Sequence, residues 1–151
     1  MARFDDCYKI TKSKNTYFFT TDSGYKFKIE IDNVTGDAPF ECEGNIYFFV
    51  FTSNKPKGKK DPKIANTIIK FLLDNVTIET DAIIVIYDYR DMGDKKRQET
   101  FKEWFDGSEI EGLEMHDGSI KLPENRIGIT GLLIHSENPN KKDIVEYFQD
   151  F

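Results

Sequence analysis

A lysine-rich segment between a predicted strand and a predicted helix comes closer to a cofactor motif than any other part of this sequence. The segment "KPKGKKDPK", residues 55–63, gathers lysines around one glycine. A phosphate site needs backbone N–H groups that point at the anion, usually where a glycine-rich loop enters a helix. The candidate cofactor-binding residues are therefore Gly58, Lys59, Lys60 and Lys63.

The residues that follow this glycine argue against phosphate binding. Lys59, Lys60 and Asp61 come directly after Gly58, so the segment has neither a second glycine nor the G-K-[ST] ending of a Walker loop. Asp61 would place a negative charge beside the anion, and Pro62 has no N–H to donate. The favoured interpretation is a solvated lysine loop ahead of a capped helix, with phosphate binding as the alternative.

A second polar segment, "YDYRDMGDKKRQE", follows a predicted central strand, where the ligand crevices of open α/β sheets lie. Asp88, Arg90, Asp91 and Asp94 could bind a metal or perform acid–base chemistry. A calcium loop is excluded, because Arg90 stands where an oxygen ligand is required. The favoured interpretation is a polar loop in which Asp94 caps a helix, and a phosphoryl-transfer aspartate at Asp88 is the alternative.

The two histidines and two cysteines show no metal-ligand spacing in the sequence. His116 lies in a predicted turn, and His135 closes a predicted strand. A His–Cys–Asp triad with Cys7 or Cys42 stays open, because the members of a triad meet only in space. Two isolated thiols favour a reducing compartment, and a disulfide between them is the alternative.

Composition and charge describe one folded domain. The 151 residues have room for a single core, and 14% of them are aromatic. A net charge of -6 argues against general nucleic-acid binding, although a local contact through Lys55 to Lys63 and Lys95 to Arg97 is a weaker alternative. The longest apolar run, "IYFFVF", is far shorter than the ~18 residues that a membrane span needs. We expect one cytoplasmic domain, residues 1–151, without a membrane segment.

Hydrophobic periodicity predicts the strands. "TYFFTTDSGYKFKIEID" predicts a β-hairpin with its turn at Asp22 to Gly24, preceded by a short strand near Tyr8 to Thr11. "IYFFVF" and "AIIVIY" are apolar on both faces and are therefore predicted as central strands. A late strand covers residues 126–135, with a bend or bulge at Gly128 or Gly131.

Three helices are predicted between and after these strands. The first runs from Pro62 to Asn75 behind an Asp61 cap, and the second covers residues 94–105. A weaker segment follows near residues 113–115, and the last helix begins behind Asn138. The predicted class is α+β with a central mixed sheet, in the order β-β-β-β-α-β-α-β-α with one parallel crossover.

This succession of elements resembles the N-acetyltransferase (GNAT) architecture at the level of topology, over roughly residues 16–135. The resemblance implies binding of CoA or acetyl-CoA by the loop ahead of the first helix. This chain departs from the family pattern, because Gly58 alone matches a loop glycine and Phe101 stands near the position of a tyrosine acid. The two helices that the family places between its first strands are also missing.

Three stretches look similar to a family of short single-domain proteins from Bacteroidota with no assigned activity: "YFFTTDSGYKFKIE", "DPKIANTIIKFL" and "YDYRDMGDKKRQETFKEWF". Because every catalytic signature weighed above is broken at a position that its chemistry requires, we expect a non-catalytic interaction or regulatory module without a cofactor. Its expected partner is another protein, bound through an exposed strand edge or the charged loop after Asp88. The alternative is a degenerate acyltransferase-like domain that binds CoA.

Overall fold

The computed structural model describes residues 6–54, 61–87 and 94–151. Within them, seven strands form one mixed sheet in the order β1-β2-β3-β4-β5-β7-β6, and three α-helices cover it. The strands are β1 (Thr11–Ser13), β2 (Thr16–Thr20), β3 (Lys26–Asn33), β4 (Ile46–Ser53), β5 (Ala82–Ile86), β6 (Leu113–Leu122) and β7 (Arg126–His135). The helices are α1 (Pro62–Asn75), α2 (Asp94–Ser108) and α3 (Lys141–Gln149). The predicted α+β class is confirmed.

The hairpin β2–β3 forms as the alternating pattern predicts. Gly24 has a φ of +87°, a left-handed conformation that glycine adopts without a Cβ clash. Phe27 and Ile29 are buried on one face of β3, while Lys28 and Glu30 are exposed on the other. This half-buried strand joins the hairpin to the centre of the sheet.

The central pair β4 and β5 is parallel, as its two-sided apolar pattern and the intervening helix predict. Pairing runs from Ile46 opposite Ala82 to Val50 opposite Ile86. The other neighbouring strands in the sheet pair antiparallel. The predicted crossover is therefore the α1 segment, which begins behind the Asp61 cap.

Two apolar cores lie on opposite faces of the sheet. On one face, α1 and α2 bury side chains such as Ile68, Leu72 and Phe101, and we call this the α1 face. On the other, Ile144 and Phe148 of α3 pack with the segment 34–42, and we call this the α3 face. None of the helices in the described ranges combines the length and apolar character needed to cross a membrane.

The segment near residues 113–115 is the start of a full strand, so the predicted element order lacked one strand. β6 pairs with β7 without interruption, from Leu113 opposite His135 to Leu122 opposite Arg126. His116 therefore lies in a strand, and the predicted turn there is wrong. The predicted bulge in β7 is also wrong, because the register continues unbroken through both of its interior glycines.

Two predicted boundaries move for local reasons. The first strand begins at Thr11, because Tyr8 lies outside the ladder and binds α1 through its N–H, which donates to Thr67 Oγ1 at 2.8 Å. The cap of α3 is Asn140 and not Asn138. Asn138 is buried and its side chain accepts the Asn140 N–H at 2.8 Å while donating to the Thr80 carbonyl at 3.1 Å.

Candidate interaction surface

Lys63 is the predicted cofactor-binding residue that the structure describes, whereas Gly58, Lys59 and Lys60 lie outside the described residues. The Lys63 ammonium lies 3.9 Å from a carboxylate oxygen of Asp6 and 3.9 Å from one of Asp22. It also lies 4.5 Å from the centroid of the Tyr8 ring. Lys63 is therefore engaged by carboxylates and an aromatic face of its own chain.

The N-terminus of α1 is filled by a carboxylate. Asp61 Oδ1 accepts the Lys63 N–H at 3.0 Å, and Asp61 Oδ2 accepts the Tyr8 hydroxyl at 2.5 Å. Burial and the bond to Asp61 raise the pKa of the Tyr8 hydroxyl. The carboxylate occupies the end of the helix that would attract a phosphate. The local geometry thus favours a structural cluster here over an anion site.

The second predicted polar site falls largely outside the described residues. Asp88, Arg90 and Asp91 belong to that part of the chain, and Asp94 is described only as the first residue of α2. In the described ranges, no three His, Cys, Asp or Glu side chains gather closely enough to hold a metal ion.

Both histidines have structural partners. His135 Nε2 lies 3.0 Å from the Glu111 carbonyl, and its Nδ1 accepts the Glu137 N–H at 3.0 Å. These two bonds require the neutral ring with its proton on Nε2. His116 Nε2 lies 3.1 Å from Glu114. Neither ring pairs with a cysteine in these contacts, and Cys7 and Cys42 form no disulfide.

A cavity of about 330 Å³ lies between the N-terminal segment, β2 and α1. Its walls include Ile10, Tyr17 and Phe71, and the two rings meet edge to face at 4.8 Å. This volume is at the lower end of the range for small-molecule sites. Lys70 at the rim forms an ion pair with Asp74 at 2.9 Å. The cavity is small, and polar side chains of its lining are bonded within the chain, as Thr67 is to the Lys63 carbonyl at 2.6 Å and Asn75 to the Phe71 carbonyl at 2.7 Å.

The outer edge of the sheet at β6 is the feature that best fits a binding role. β6 has ten residues, lies at the end of the strand order and contains neither a bulge nor a proline. The opposite edge, β1, has three residues. Proteins commonly protect sheet edges by shortening the strand or interrupting it. β1 is protected by its short length, whereas β6 is long and uninterrupted and is protected only by charged side chains such as Asp117 and Lys121.

Hydrogen bonds of the neighbouring strand show which residues of β6 direct their backbone groups outward. The Ile129 carbonyl of β7 accepts the Tyr87 N–H, so it points toward β5. Ser119 is opposite Ile129, and this pair is therefore a non-hydrogen-bonded pair of the β6–β7 ladder. Ser119 accordingly directs its N–H and C=O away from β7. The direction of these backbone groups alternates from one residue to the next. Asp117 and Lys121, two positions away from Ser119, therefore also direct their N–H and C=O groups outward.

Ion pairs from both helical layers hold β6 in place. On the α1 face, Lys102 of α2 binds Asp117 at 2.7 Å. On the α3 face, Lys141 binds Glu114 at 2.7 Å and His116 lies on the other oxygen of that carboxylate. The bond to Lys141, reinforced by His116, lowers the pKa of Glu114. The strand is fixed in position while its outer edge stays open.

The side chains beside the outward backbone groups are accessible. Asp117, Ser119 and Lys121 are all exposed on the α1 face. Sequence reasoning missed this strand, because its alternation is weak and Gly118 interrupts it. The exposed alternation of these three polar residues is the signal that could have indicated an edge strand.

Comparison with known proteins adds no relative. No protein-family model matches the chain, and neither the curated proteins nor the solved structures contain a match. The interpretation of the site therefore depends on its own geometry.

Proposed function

We propose that this protein is a non-catalytic interaction module that binds an extended polypeptide strand along β6. The observation that carries the proposal is the ten-residue edge strand whose outward N–H and C=O groups have no neighbouring strand in the described sheet. An extended segment can add to such an edge through main-chain hydrogen bonds, a common mode of peptide recognition. The alternating outward residues would provide those bonds.

The contacts of the titratable residues support a binding role over a catalytic one. His135 uses both ring nitrogens for backbone bonds, and Lys63 is held by two carboxylates. The buried carboxylate of Asp81 accepts the N–H groups of Asn45 and Thr77 at 2.8 and 2.7 Å. Each of these side chains already has partners within the described part of its own chain. We also propose a cytoplasmic location, which the isolated positions of the two cysteines in the sequence support.

The test is a random peptide-display selection against the wild-type protein, with binding compared between two variants at one position. Ser119→Pro removes an outward N–H and leaves the bonds to β7 intact, so we expect loss of binding. Ser119→Ala keeps the N–H and should bind like the wild type. Peptides that bind both variants equally would place recognition elsewhere and contradict the proposal.

Binding of CoA is the second candidate function, and one observation favours it. β4 and β5 pair in parallel, so the connections after them leave from the same end of the sheet, where α/β proteins commonly bind ligands. The carboxylates of Asp6 and Asp22, which lie beside the Lys63 ammonium, argue against CoA binding.

A thermal-shift titration with CoA, acetyl-CoA and ATP decides on this second function. At about 100 times its Kd, a ligand adds ~2.7 kcal/mol of stability, or roughly 5–11 °C for a domain of this size. A shift with CoA and acetyl-CoA but not with ATP would support CoA binding. An unchanged Tm with all three would exclude it at the concentrations used.

A further inference from the structure

We propose that the strand bound by β6 is the β6 strand of a second copy of this chain, an inference that rests on the proposed function of this edge. The sequence of the strand is complementary to itself in the antiparallel direction. In "HDGSIKL", residues 116–122, the acidic and basic side chains lie symmetrically about Ser119. A two-fold axis through Ser119 would therefore place Asp117 of each chain opposite Lys121 of the other.

The hydrogen-bonding groups fit this register. Ser119, Asp117 and Lys121 all direct their N–H and C=O groups outward, as the Tyr87–Ile129 bond shows. Ser119 would face Ser119 of the second copy as a hydrogen-bonded pair, flanked by two Asp117–Lys121 pairs of the same kind. Opposite charges directly across two strands stabilise their pairing, whereas like charges oppose it.

On the α3 face, the two β6 strands would also be complementary in this register. The same register places Gly118 opposite Ile120, so the larger side chain lies beside a residue without one. Phe148 already covers Gly118 from the α3 layer, because a Cβ at Gly118 would lie 2.5 Å from its ring. The Ile120 side chain would extend this apolar contact across the interface.

The helices leave room for the second copy. On the α1 face, α2 packs against β7 and reaches β6 through the Lys102–Asp117 ion pair, and on the α3 face, α3 packs against both β7 and β6. A helix centred between β6 and β7 would lie two strand spacings, roughly 10 Å, from its symmetry mate. Strands in a sheet are about 4.8 Å apart, so β7 and its symmetry mate would be separated by three spacings, roughly 14 Å. Packed helices need only about 8–10 Å between axes. Asp117 already accepts Gln98 on Oδ1 at 3.2 Å and Lys102 on Oδ2 at 2.7 Å, and it can also accept the incoming Lys121, because a carboxylate has about four acceptor positions.

The first experiment measures mass in solution from micromolar to near-millimolar concentration by light scattering. We expect a concentration-dependent approach to twice the 17.6 kDa of one chain. Lys121→Glu places like charges opposite each other twice and should weaken association about tenfold or more. Lys9→Glu changes the net charge equally at an exposed residue outside β6 and should associate like the wild type. A wild type that stays monomeric would overturn the proposal.

Charge exchange identifies the pairing. The double variant Asp117→Lys with Lys121→Asp restores complementarity within one chain, so it should associate again. A mixture of the single variants Lys121→Glu and Asp117→Lys should form a mixed dimer. Association that ignores these changes would show that another surface mediates it and would also overturn the proposal.

A disulfide test depends less on the charged residues. Ser119→Cys should form a disulfide between two copies on mild oxidation, since the Cα atoms of a hydrogen-bonded pair lie about 5.5 Å apart. Peptide mapping should identify the 119–119 link, and Ser13→Cys on β1 is the control that should not form its own. Absence of the 119–119 link in a dimer would exclude this register.

The two proposals fail in distinguishable ways. A monomeric protein that still selects peptides dependent on the Ser119 N–H would retain the proposed function and exclude the second copy as partner. A monomeric protein that selects none would remove both proposals. A dimer joined through Ser119 would support both, even if no peptide were selected.

Discussion

The hydroxyl of Tyr8 donates a hydrogen bond to Asp61 Oδ2 at 2.5 Å, and this bond joins the N-terminal segment to the first turn of α1. Asp61 uses its other oxygen to cap the helix, so one carboxylate stabilises two elements. The Tyr8 oxygen also accepts the Asp22 N–H at 3.3 Å, and this bond connects the β2–β3 turn to the start of α1. Residues far apart in sequence therefore converge on the helix start.

We expect Tyr8→Phe to lower the free energy of unfolding by about 1.5–3 kcal/mol, the range for hydrogen bonds to charged groups. The phenylalanine ring still fills the buried position, so the loss of stability measures the contribution of the hydroxyl. Urea denaturation followed by circular dichroism measures it. Tyr25→Phe is the matched control, because none of the hydrogen bonds found in the described residues uses the Tyr25 hydroxyl. Equal stabilities of the two variants would contradict this assignment.

Glu114 should make stability depend on pH in the acid range. Its lowered pKa means that the folded state favours the carboxylate, chiefly through Lys141. The stabilisation is fully present above the unfolded-state pKa and is lost as the pH falls through the folded-state pKa. We expect Glu114→Gln to be less stable at neutral pH, by no more than about 1 kcal/mol because the pair is partly exposed.

The measurement is a set of denaturation curves for wild type and Glu114→Gln from neutral to acid pH. The difference between the two should shrink as the pH falls below the ordinary glutamate range, where the carboxylate of Glu114 takes up its proton. Glu146→Gln, in α3, is the control. A difference that stayed undiminished at the acid end would contradict the lowered pKa.

Tyr87 and Gly131 should show coupled effects. The Tyr87 hydroxyl is buried and has no hydrogen-bond partner among the residues that the structure describes, and a Cβ added at Gly131 would lie 3.0 Å from it. We expect Tyr87→Phe to be neutral or slightly stabilising, since it removes an unsatisfied polar atom. Gly131→Ala should destabilise by about 1–3 kcal/mol through overpacking. In the Tyr87→Phe background, Gly131→Ala should lower the free energy of unfolding by a smaller amount.

A thermal-unfolding double-mutant cycle measures this coupling. Additive effects would show that the alanine acts on the backbone and not on the hydroxyl. Burial also raises the pKa of Tyr87, so its hydroxyl should stay protonated at pH values where tyrosines ordinarily ionise. Ultraviolet titration of the folded protein should therefore be unchanged by Tyr87→Phe.

Asn138 and Asn140 should differ in their contribution to stability. Asn138 is 5% exposed and bridges the Thr80 carbonyl to the Asn140 N–H, so Asn138→Ala should cost about 1–3 kcal/mol. Asn140 is only partly buried and binds the backbone of Glu41 and Glu43, so Asn140→Ala should lower the free energy of unfolding by less. Chemical denaturation of both variants gives the order, and a larger loss at Asn140 would contradict it.

Most elements could be predicted because their signals are local. α1 begins at the predicted residue, since Asp61 and Pro62 specify a helix start without help from the rest of the chain. β4 and β5 are recognisable because two-sided burial demands continuous apolar residues. β6 gives no such signal, as one edge of it faces solvent and its side chains are mostly polar.

The candidate site required the three-dimensional structure. The outer position of β6 follows from β7 lying between β5 and β6, an order that no local pattern encodes. The contacts of Lys63 likewise come from Asp6 and Asp22, which are distant in sequence. Lys63 was predicted from its own neighbours, and residues from elsewhere in the fold determine its environment.

The parallel pair at the centre of the sheet has a consequence for the order of folding. The hairpins β2–β3 and β6–β7 join strands that are close in sequence. β4 can pair with β5 only after the chain closes the longer loop that contains α1. Closing that longer loop costs chain entropy before any contact repays it. We therefore expect the two hairpins to reach native contacts early, with the β4–β5 pairing as the late step that unites the two halves.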